Sequence, residues 1–273
     1  MPDNSKAILF DRIALVGIGL IGSSVARVVK RDGLAGHIAA TARSQKTLET
    51  AIRMGFADSV TLDAAEAVKD ADLVMICSPM RTYNAVMKDI APNLKPGAIL
   101  TDVGSVKASA VRALSPKLPT AVHLVPAHPV AGTEHSGPEA GFSELFEGRW
   151  CVITPPEGTE RLAIEKVAEF WRAAGSNVEL MDPDRHDQVM AMTSHLPHLI
   201  AYTIVGTATD LEKTLMNEVI KYSAGGFRDF TRIAASDPTM WRDVMLNNKD
   251  AILEMLQRFN EDLTALQRAI RWN

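Results

Sequence analysis

The hydrophobic pattern of the chain changes its period once. Up to residue 154, short apolar runs recur between longer amphipathic segments: Ile13 to Val16, His37 to Thr41, Leu73 to Cys77, Ala98 to Asp102, His123 to Val125 and Trp150 to Thr154. Short apolar runs bounded by turn formers such as Pro92 and Pro96-Gly97 predict buried strands; the segments between them, from Ser23 and from about Gln45, predict helices. Alternation of this kind predicts an α/β fold, a doubly wound and mostly parallel sheet with helices on both faces. The pattern breaks around Met181-Asp182-Pro183-Asp184. From His186 to Trp272 no strand signal returns, and Ile252, Met255, Leu256, Phe259, Leu263, Leu266 and Ile270 recur at helical spacing. Two domains are therefore expected, residues 1–182 and an all-helical 183–273. Some ninety residues make a small unit to cover so wide an apolar stripe, which predicts packing against a second copy, a homodimer.

Parallel sheets bind ligands at the carboxyl ends of their strands, here the loops after Val16, Thr41, Cys77 (beginning at Ser78), Asp102 and Val125. The first loop is Gly17-Ile18-Gly19-Leu20-Ile21-Gly22, a G-x-G-x-x-G turn between strand and helix. Gly17 permits the tight turn, Gly19 lets backbone approach a phosphate, and Gly22 lets helix and strand pack closely. Amides at the positive end of the helix then make a pyrophosphate site, so the six residues are expected to bind a dinucleotide in a Rossmann-type domain. The second strand ends Thr41-Ala42-Arg43-Ser44, without the acid that usually holds the ribose of NAD. Arg43 and Ser44 stand where a 2′-phosphate would lie, which favours NADP over NAD; the other reading of Arg43 is a solvated surface residue.

Composition narrows the partner. A formal net charge of −4 gives no basic surface for nucleic acid or anionic lipid, so a small-molecule substrate is expected. No apolar run reaches the length of a membrane span, and Met1 to Asp11 lacks the features of a signal peptide, which predicts a cytoplasmic protein. Cys77 and Cys151, each in a predicted strand, read as core residues rather than a disulfide or a metal site.

Polar chemistry is concentrated in Asp102-Val103-Gly104-Ser105-Val106-Lys107, in His128-Pro129-Val130-Ala131-Gly132-Thr133-Glu134 and in Ser194-His195-Leu196-Pro197-His198. With Gly226-Phe227-Arg228-Asp229-Phe230-Thr231-Arg232 and Ser236-Asp237-Pro238-Thr239-Met240-Trp241-Arg242, these stretches resemble the prephenate/arogenate (cyclohexadienyl) dehydrogenases of tyrosine biosynthesis. The likeness runs from the glycine turn to Trp241, with five motifs in order. It implies an NAD(P)-dependent oxidative decarboxylation, in which hydride leaves the hydroxyl-bearing ring carbon as CO2 departs and the ring becomes aromatic.

That chemistry requires a base and an anion site. The resemblance implies that His128, placed after a strand, accepts the proton or hydrogen bond of the ring hydroxyl, a task suited to an imidazole. It implies that Ser105 hydrogen-bonds the same hydroxyl; by itself the serine reads as a helix cap, and the two roles are compatible. Ser194 and His198 stand four residues apart on one helical face, and Pro197 is expected to bend the helix between them; the resemblance assigns both to substrate or nicotinamide contacts, with His198 a catalytic candidate and the alternative base to His128. His195 is open between a structural and a contact role. Arg228 and Arg232 also stand four apart, with Phe227 and Phe230 expected in the core. The resemblance selects Arg232 as the carboxylate ligand, oriented by Asp229, and a planar guanidinium suits that anion. Arg228 is open between a ligand and a surface residue. Thr133 and Glu134 are expected at the edge of the pocket. In the family the tryptophan matching Trp241 approaches the active site of the other subunit; its sequence context fits core packing equally well.

Within these 273 residues no stretch after the last helical stripe matches the ACT module or fused chorismate mutase of some relatives. A β-hydroxyacid dehydrogenase or a pyrroline-carboxylate reductase would share this domain order. The former class places a catalytic lysine on the first long helix of the second domain, where this chain has Ser194 and His198. A non-catalytic NAD(P)-sensing regulator would lack a base and would bring a basic DNA-reading element.

Overall fold

The computed structural model describes residues 8–211 and 213–272, and the chain divides into two units, residues 1–186 and 187–273. The expectation about a leader peptide falls mainly on residues 1–7, outside the described residues.

In the first unit β1 (Phe10–Val16), α1 (Leu20–Asp32), β2 (Ala35–Thr41), α2 (Gln45–Arg53), β3 (Ser59–Thr61) and α3 (Ala64–Ala67) are followed by β4 (Leu73–Ile76), α4 (Tyr83–Ile90), β5 (Ile99–Asp102), α5 (Lys107–Leu114) and β6 (His123–Leu124). Then come β7 (Ala127–Pro129), β8 (Trp150–Ile153), α6 (Arg161–Ala173) and β9 (Asn177–Leu180). Strands β1 to β6 form one parallel sheet in the order β3-β2-β1-β4-β5-β6. The strand order reverses between β1 and β4, so the glycine turn after β1 opens at the switch point where doubly wound sheets hold ligands.

Both faces of this sheet are covered, which explains why Ile13 to Val16 of β1 and the whole of β4 are continuously apolar rather than alternating. Ile13 and Leu15 pack on one side with Val25, Val28, Phe170 and Trp171; Ala14 and Val16 pack on the other with Val74, Tyr83, Met87 and Leu114. Each fully buried aliphatic side chain of this kind stabilises the fold by about 1.5–3 kcal/mol.

Two corrections concern the strands. The run Trp150 to Thr154 does not extend the parallel sheet: β8 is the centre of a second sheet, β7-β8-β9, antiparallel to β7 and parallel to β9. His128 therefore lies within a strand instead of following one. β3 and β9 carry no clear strand signal because they are three and four residues long and only partly buried. Helix α1 begins at Leu20, three residues before the expected Ser23. Gly19 takes the cap position, and the hydroxyls of Ser23 and Ser24 turn back onto the Gly19 and Leu20 carbonyls, at 2.7 Å each.

The second unit is helical, with no strand among the described residues. After α7 (Pro183–Met190) comes one π-helical turn, Ala191–His195, followed by α8 (Leu196–Thr209), α9 (Lys213–Lys221), α10 (Gly225–Thr231), α11 (Pro238–Asn247) and α12 (Lys249–Trp272). The π turn is the form taken by the disturbance expected at Pro197. Proline lacks the N–H that would continue the regular ladder, so the turn before it widens and a new α-helix starts around it. Phe227 and Phe230 are exposed, 37% and 38%, which corrects the expectation that they enter the core. On α12 only Ile252 is buried, and Leu253, Leu263, Leu266 and Ile270 form an exposed apolar face.

Candidate active site

The glycine turn has the geometry of a phosphate cradle. Gly17 has φ +105°, and a Cβ there would stand 2.8 Å from Ser78 N; a Cβ at Gly22 would stand 2.3 Å from the Gly17 carbonyl oxygen. Both are glycines because the protein packs against them. A Cβ at Gly19 would meet no atom within 4 Å, so its bare backbone serves nothing in the protein's own packing and fits close approach by a pyrophosphate. No acid occupies the first turn of α1, and its two serine hydroxyls are spent on carbonyls, so backbone amides dominate the positive end of the helix. The Ile18 side chain is in the core, and Leu20 and Ile21 are partly buried against that core. These residues fit a dinucleotide.

At the end of β2, Ser44 caps α2 by accepting from Thr47 N at 3.3 Å, so its hydroxyl has a structural task. Arg43 is exposed and makes no ion pair among the described residues. Beside the glycine turn, the Ser78 hydroxyl donates to Thr82 Oγ1 at 2.8 Å, since the Thr82 hydroxyl itself donates to the Pro79 carbonyl. Burial pushes the Cys77 and Cys151 thiols well above their ordinary range; both are free and inert.

The loop after β5 is built around a buried charge cluster. Asp102 and Lys107 are both fully buried, with Lys107 Nζ 2.6 Å from Asp102 Oδ2 and 2.8 Å from the Ala127 carbonyl oxygen. Asp102 Oδ2 also accepts from Tyr83 OH at 2.8 Å and from Gly104 N at 2.9 Å. Burial first, and then the Asp102 charge, hold the Tyr83 hydroxyl well above its usual titration range, so it stays a donor. Ser105 is half-buried on this loop. It is not the helix cap that the sequence suggests: the cap position of α5 falls to Val106, whose side chain offers no acceptor.

His128, 7% exposed, sits in the middle of β7 opposite Val152, and its Nδ1 lies 2.8 Å from Nε2 of the fully buried His186. The rings meet edge to face at 5.0 Å. The loop after β7 is fastened to α1, where Phe142 N donates to Ser24 Oγ at 3.1 Å and Arg27 reaches the Pro138 carbonyl at 3.5 Å. Thr133 and Glu134 on this loop are exposed, and Thr133 Oγ1 accepts from His135 N at 3.2 Å.

In the helical unit His198 stacks on Trp241 with ring centres 3.5 Å apart, and His198 Nδ1 donates to the Ser194 carbonyl at 2.9 Å. Because a carbonyl only accepts, this bond places the proton of neutral His198 on Nδ1 and leaves Nε2 as an acceptor. Burial lowers the His198 pKa, and the bond to Ser194 opposes that shift. Trp241 is buried against His198 and against the edge of His195, 6.1 Å away. His195 is fully buried and accepts from Asn248 Nδ2 at 3.0 Å; the same amide donates to the Asp187 carbonyl at 2.8 Å. His195 thus ties helix to helix.

Arg232 ends α10 and opens a 3-10 turn, and Arg228, Asp229 and Arg232 are all exposed. Among the described residues no ion pair joins Asp229 to Arg232: the helix changes pitch between them, and the expected i, i+3 contact is not made. No group of His, Cys, Asp and Glu among the described residues could hold a metal ion.

Three residues beyond the expected set join the site: His186, Asp102 and Lys107. The last two belong to a polar motif in apolar surroundings, which was the available signal. His186 had none, since its partner is 58 residues away in sequence.

Residues 25–180 match the family model described as prephenate dehydrogenase, nucleotide-binding domain, and residues 182–273 match prephenate dehydrogenase, dimerization domain. The chain is 43% identical over 262 residues to the cyclohexadienyl dehydrogenase of Zymomonas mobilis, covering 96% of this chain and 89% of the relative. Among solved structures, prephenate dehydrogenase from Aquifex aeolicus in complex with hydroxyphenyl propionate and NAD+ is 35% identical, with a TM-score of 0.89 over 98% of this chain and 92% of that one. Synechocystis arogenate dehydrogenase is 27% identical, with a TM-score of 0.80 over 96% and 93%.

Proposed function

Because the chain belongs to the prephenate dehydrogenase family, we propose that it catalyses NAD(P)-dependent oxidative decarboxylation of prephenate to 4-hydroxyphenylpyruvate, arogenate to tyrosine, or both, in tyrosine biosynthesis. The observation that carries this reading is the buried His128, held through Nδ1 by His186 at 2.8 Å, which fixes the orientation of its ring. With the Nδ1 proton donated to His186, Nε2 of His128 accepts the proton of the ring hydroxyl, and His186 supports the imidazolium that forms. Ser105 hydrogen-bonds the same hydroxyl. Arg232 holds the ring carboxylate, a pairing that suits a planar cation. Ser194, and His198 through Nε2, hold the side chain, while Asp229, Thr133, Glu134 and Trp241 complete the substrate contacts. The amides of the turn from Gly17 to Gly22, with Ser78, hold the pyrophosphate, and the bound nicotinamide supplies the hydride acceptor.

Arg43 supports NADP over NAD, while Ser44 is already engaged as a cap. Residues 1–182 carry the cofactor together with Ser105, His128, Thr133 and Glu134, and 183–273 carry the remaining substrate contacts and a homodimer interface, which the apolar face of α12 supports. No described helix is long and apolar enough to cross a membrane; the cytoplasmic location is inferred from the sequence. Family membership favours this reading over a β-hydroxyacid dehydrogenase or a non-catalytic NAD(P) sensor. The test follows reduced-nicotinamide absorbance with prephenate and arogenate, each with NAD and with NADP. Turnover in at least one of the four combinations is expected; none in folded protein overturns the reading.

A further inference from the structure

We propose that the buried Lys107–Asp102 ion pair is a positioning device that locks the Ser105 loop and the His128 strand into one register. The proposal rests on the reaction assigned above. One end of the pair grips the loop: Asp102 Oδ2 takes Gly104 N at 2.9 Å, and a Cβ at Gly104 would come within 2.9 Å of that oxygen and 2.7 Å of Tyr83 OH. The other end grips the strand. β7 is the edge of its sheet and only three residues long, and its pairing with β8 uses the outward groups of neither Ala127 nor Pro129. Lys107 Nζ takes the Ala127 carbonyl at 2.8 Å, in place of a ladder partner, one residue before His128.

The arrangement exceeds what folding alone requires. A buried ion pair carries a desolvation penalty that apolar residues of similar size would avoid, so it is weak support for a purely stabilising role. What the ammonium supplies, and a methyl cannot, is a directed bond between two backbone segments that carry Ser105 and His128. Ser105 and His128 act on the same hydroxyl, so a small shift between them lowers the rate of the chemical step more than it weakens binding. Lys107 and Asp102 touch neither substrate nor cofactor in this account; they act through the loop and the strand.

Lys107→Met leaves Asp102 buried without its counter-charge and risks the fold, so the decisive variant is Asp102→Asn/Lys107→Met. There Asn keeps an acceptor for Gly104 N and both charges are gone. Circular dichroism, fluorescence titration with NAD and NADP, and steady-state kinetics with the substrate that the unmodified enzyme turns over are measured in parallel. The expected result is a folded double variant whose kcat falls at least tenfold, with cofactor Kd and substrate KM within threefold of the unmodified enzyme. A smaller fall in kcat, a change in Kd or KM beyond threefold, or loss of the fold overturns the proposal, because each makes the pair a device of stability or binding. Absence of turnover by the unmodified protein is a separate result, and it overturns the assigned reaction together with this proposal.

Discussion

His128 Nδ1 stands 2.8 Å from His186 Nε2, and both rings are out of solvent. The hydrogen bond between them carries one proton, and which ring carries it decides whether, in a neutral His128, Nε2 is a lone pair or an N–H. A base at Nε2 needs the proton on Nδ1, donated to His186. His186→Phe keeps an aromatic edge against His128 but removes the acceptor. Loss of a hydrogen bond to a group that becomes charged costs about 1.5–3 kcal/mol, so kcat should fall by roughly 10- to 150-fold with cofactor Kd unchanged. Steady-state kinetics with fluorescence titration of the cofactor check this; an unchanged kcat would remove His186 from the site.

His198 offers a test by direct titration. Burial lowers its pKa below the ordinary 6.5, against the opposing hydrogen bond to Ser194. Below pH 6.5 the unfolded chain therefore binds a proton that the folded chain does not, so this residue's contribution lowers stability as pH falls through that range. The ring resonances of His198, followed by NMR across the acid range, should titrate with a midpoint below 6.5. A midpoint at or above that value contradicts the account of a neutral Nε2 acceptor.

Arg43, exposed at the end of β2 without an ion pair among the described residues, is the feature that separates the two cofactors. Arg43→Ala should raise KM for NADP by roughly 10- to 150-fold, the equivalent of a lost charged hydrogen bond of about 1.5–3 kcal/mol, and change KM for NAD far less. Equal effects on both cofactors would end the argument for NADP.

The glycine turn was legible because its constraint is local: Gly17 and Gly22 are forced by atoms within a few residues or on the adjoining strand. The parallel sheet was legible for a similar reason, since strands buried on both faces read as unbroken apolar runs. β7 was not, because an edge strand of three residues ending in proline carries no periodic signal. His186 was not, because it lies in the polar run Asp184-Arg185-His186-Asp187, which reads as a solvated helix start, and only the tertiary fold buries it. Phe227 and Phe230 misled because aromatic residues at helical spacing imply a core, and within one chain the helical unit leaves them uncovered.

The central claim is that one buried imidazole, His128, takes the proton of the substrate hydroxyl, and His128→Asn tests it most directly. Asparagine keeps much of the size and a hydrogen-bonding group but cannot take up a proton. General-base catalysis contributes typically about 10²–10⁴-fold, so kcat should fall by that order while cofactor Kd, set by the glycine turn, stays within a few-fold. A base that must be neutral loses its function once it is protonated, so the unmodified enzyme should lose kcat/KM on acidification, and the variant should lack that limb. Near-normal kcat in His128→Asn, or an acid limb that survives the substitution, would contradict the account.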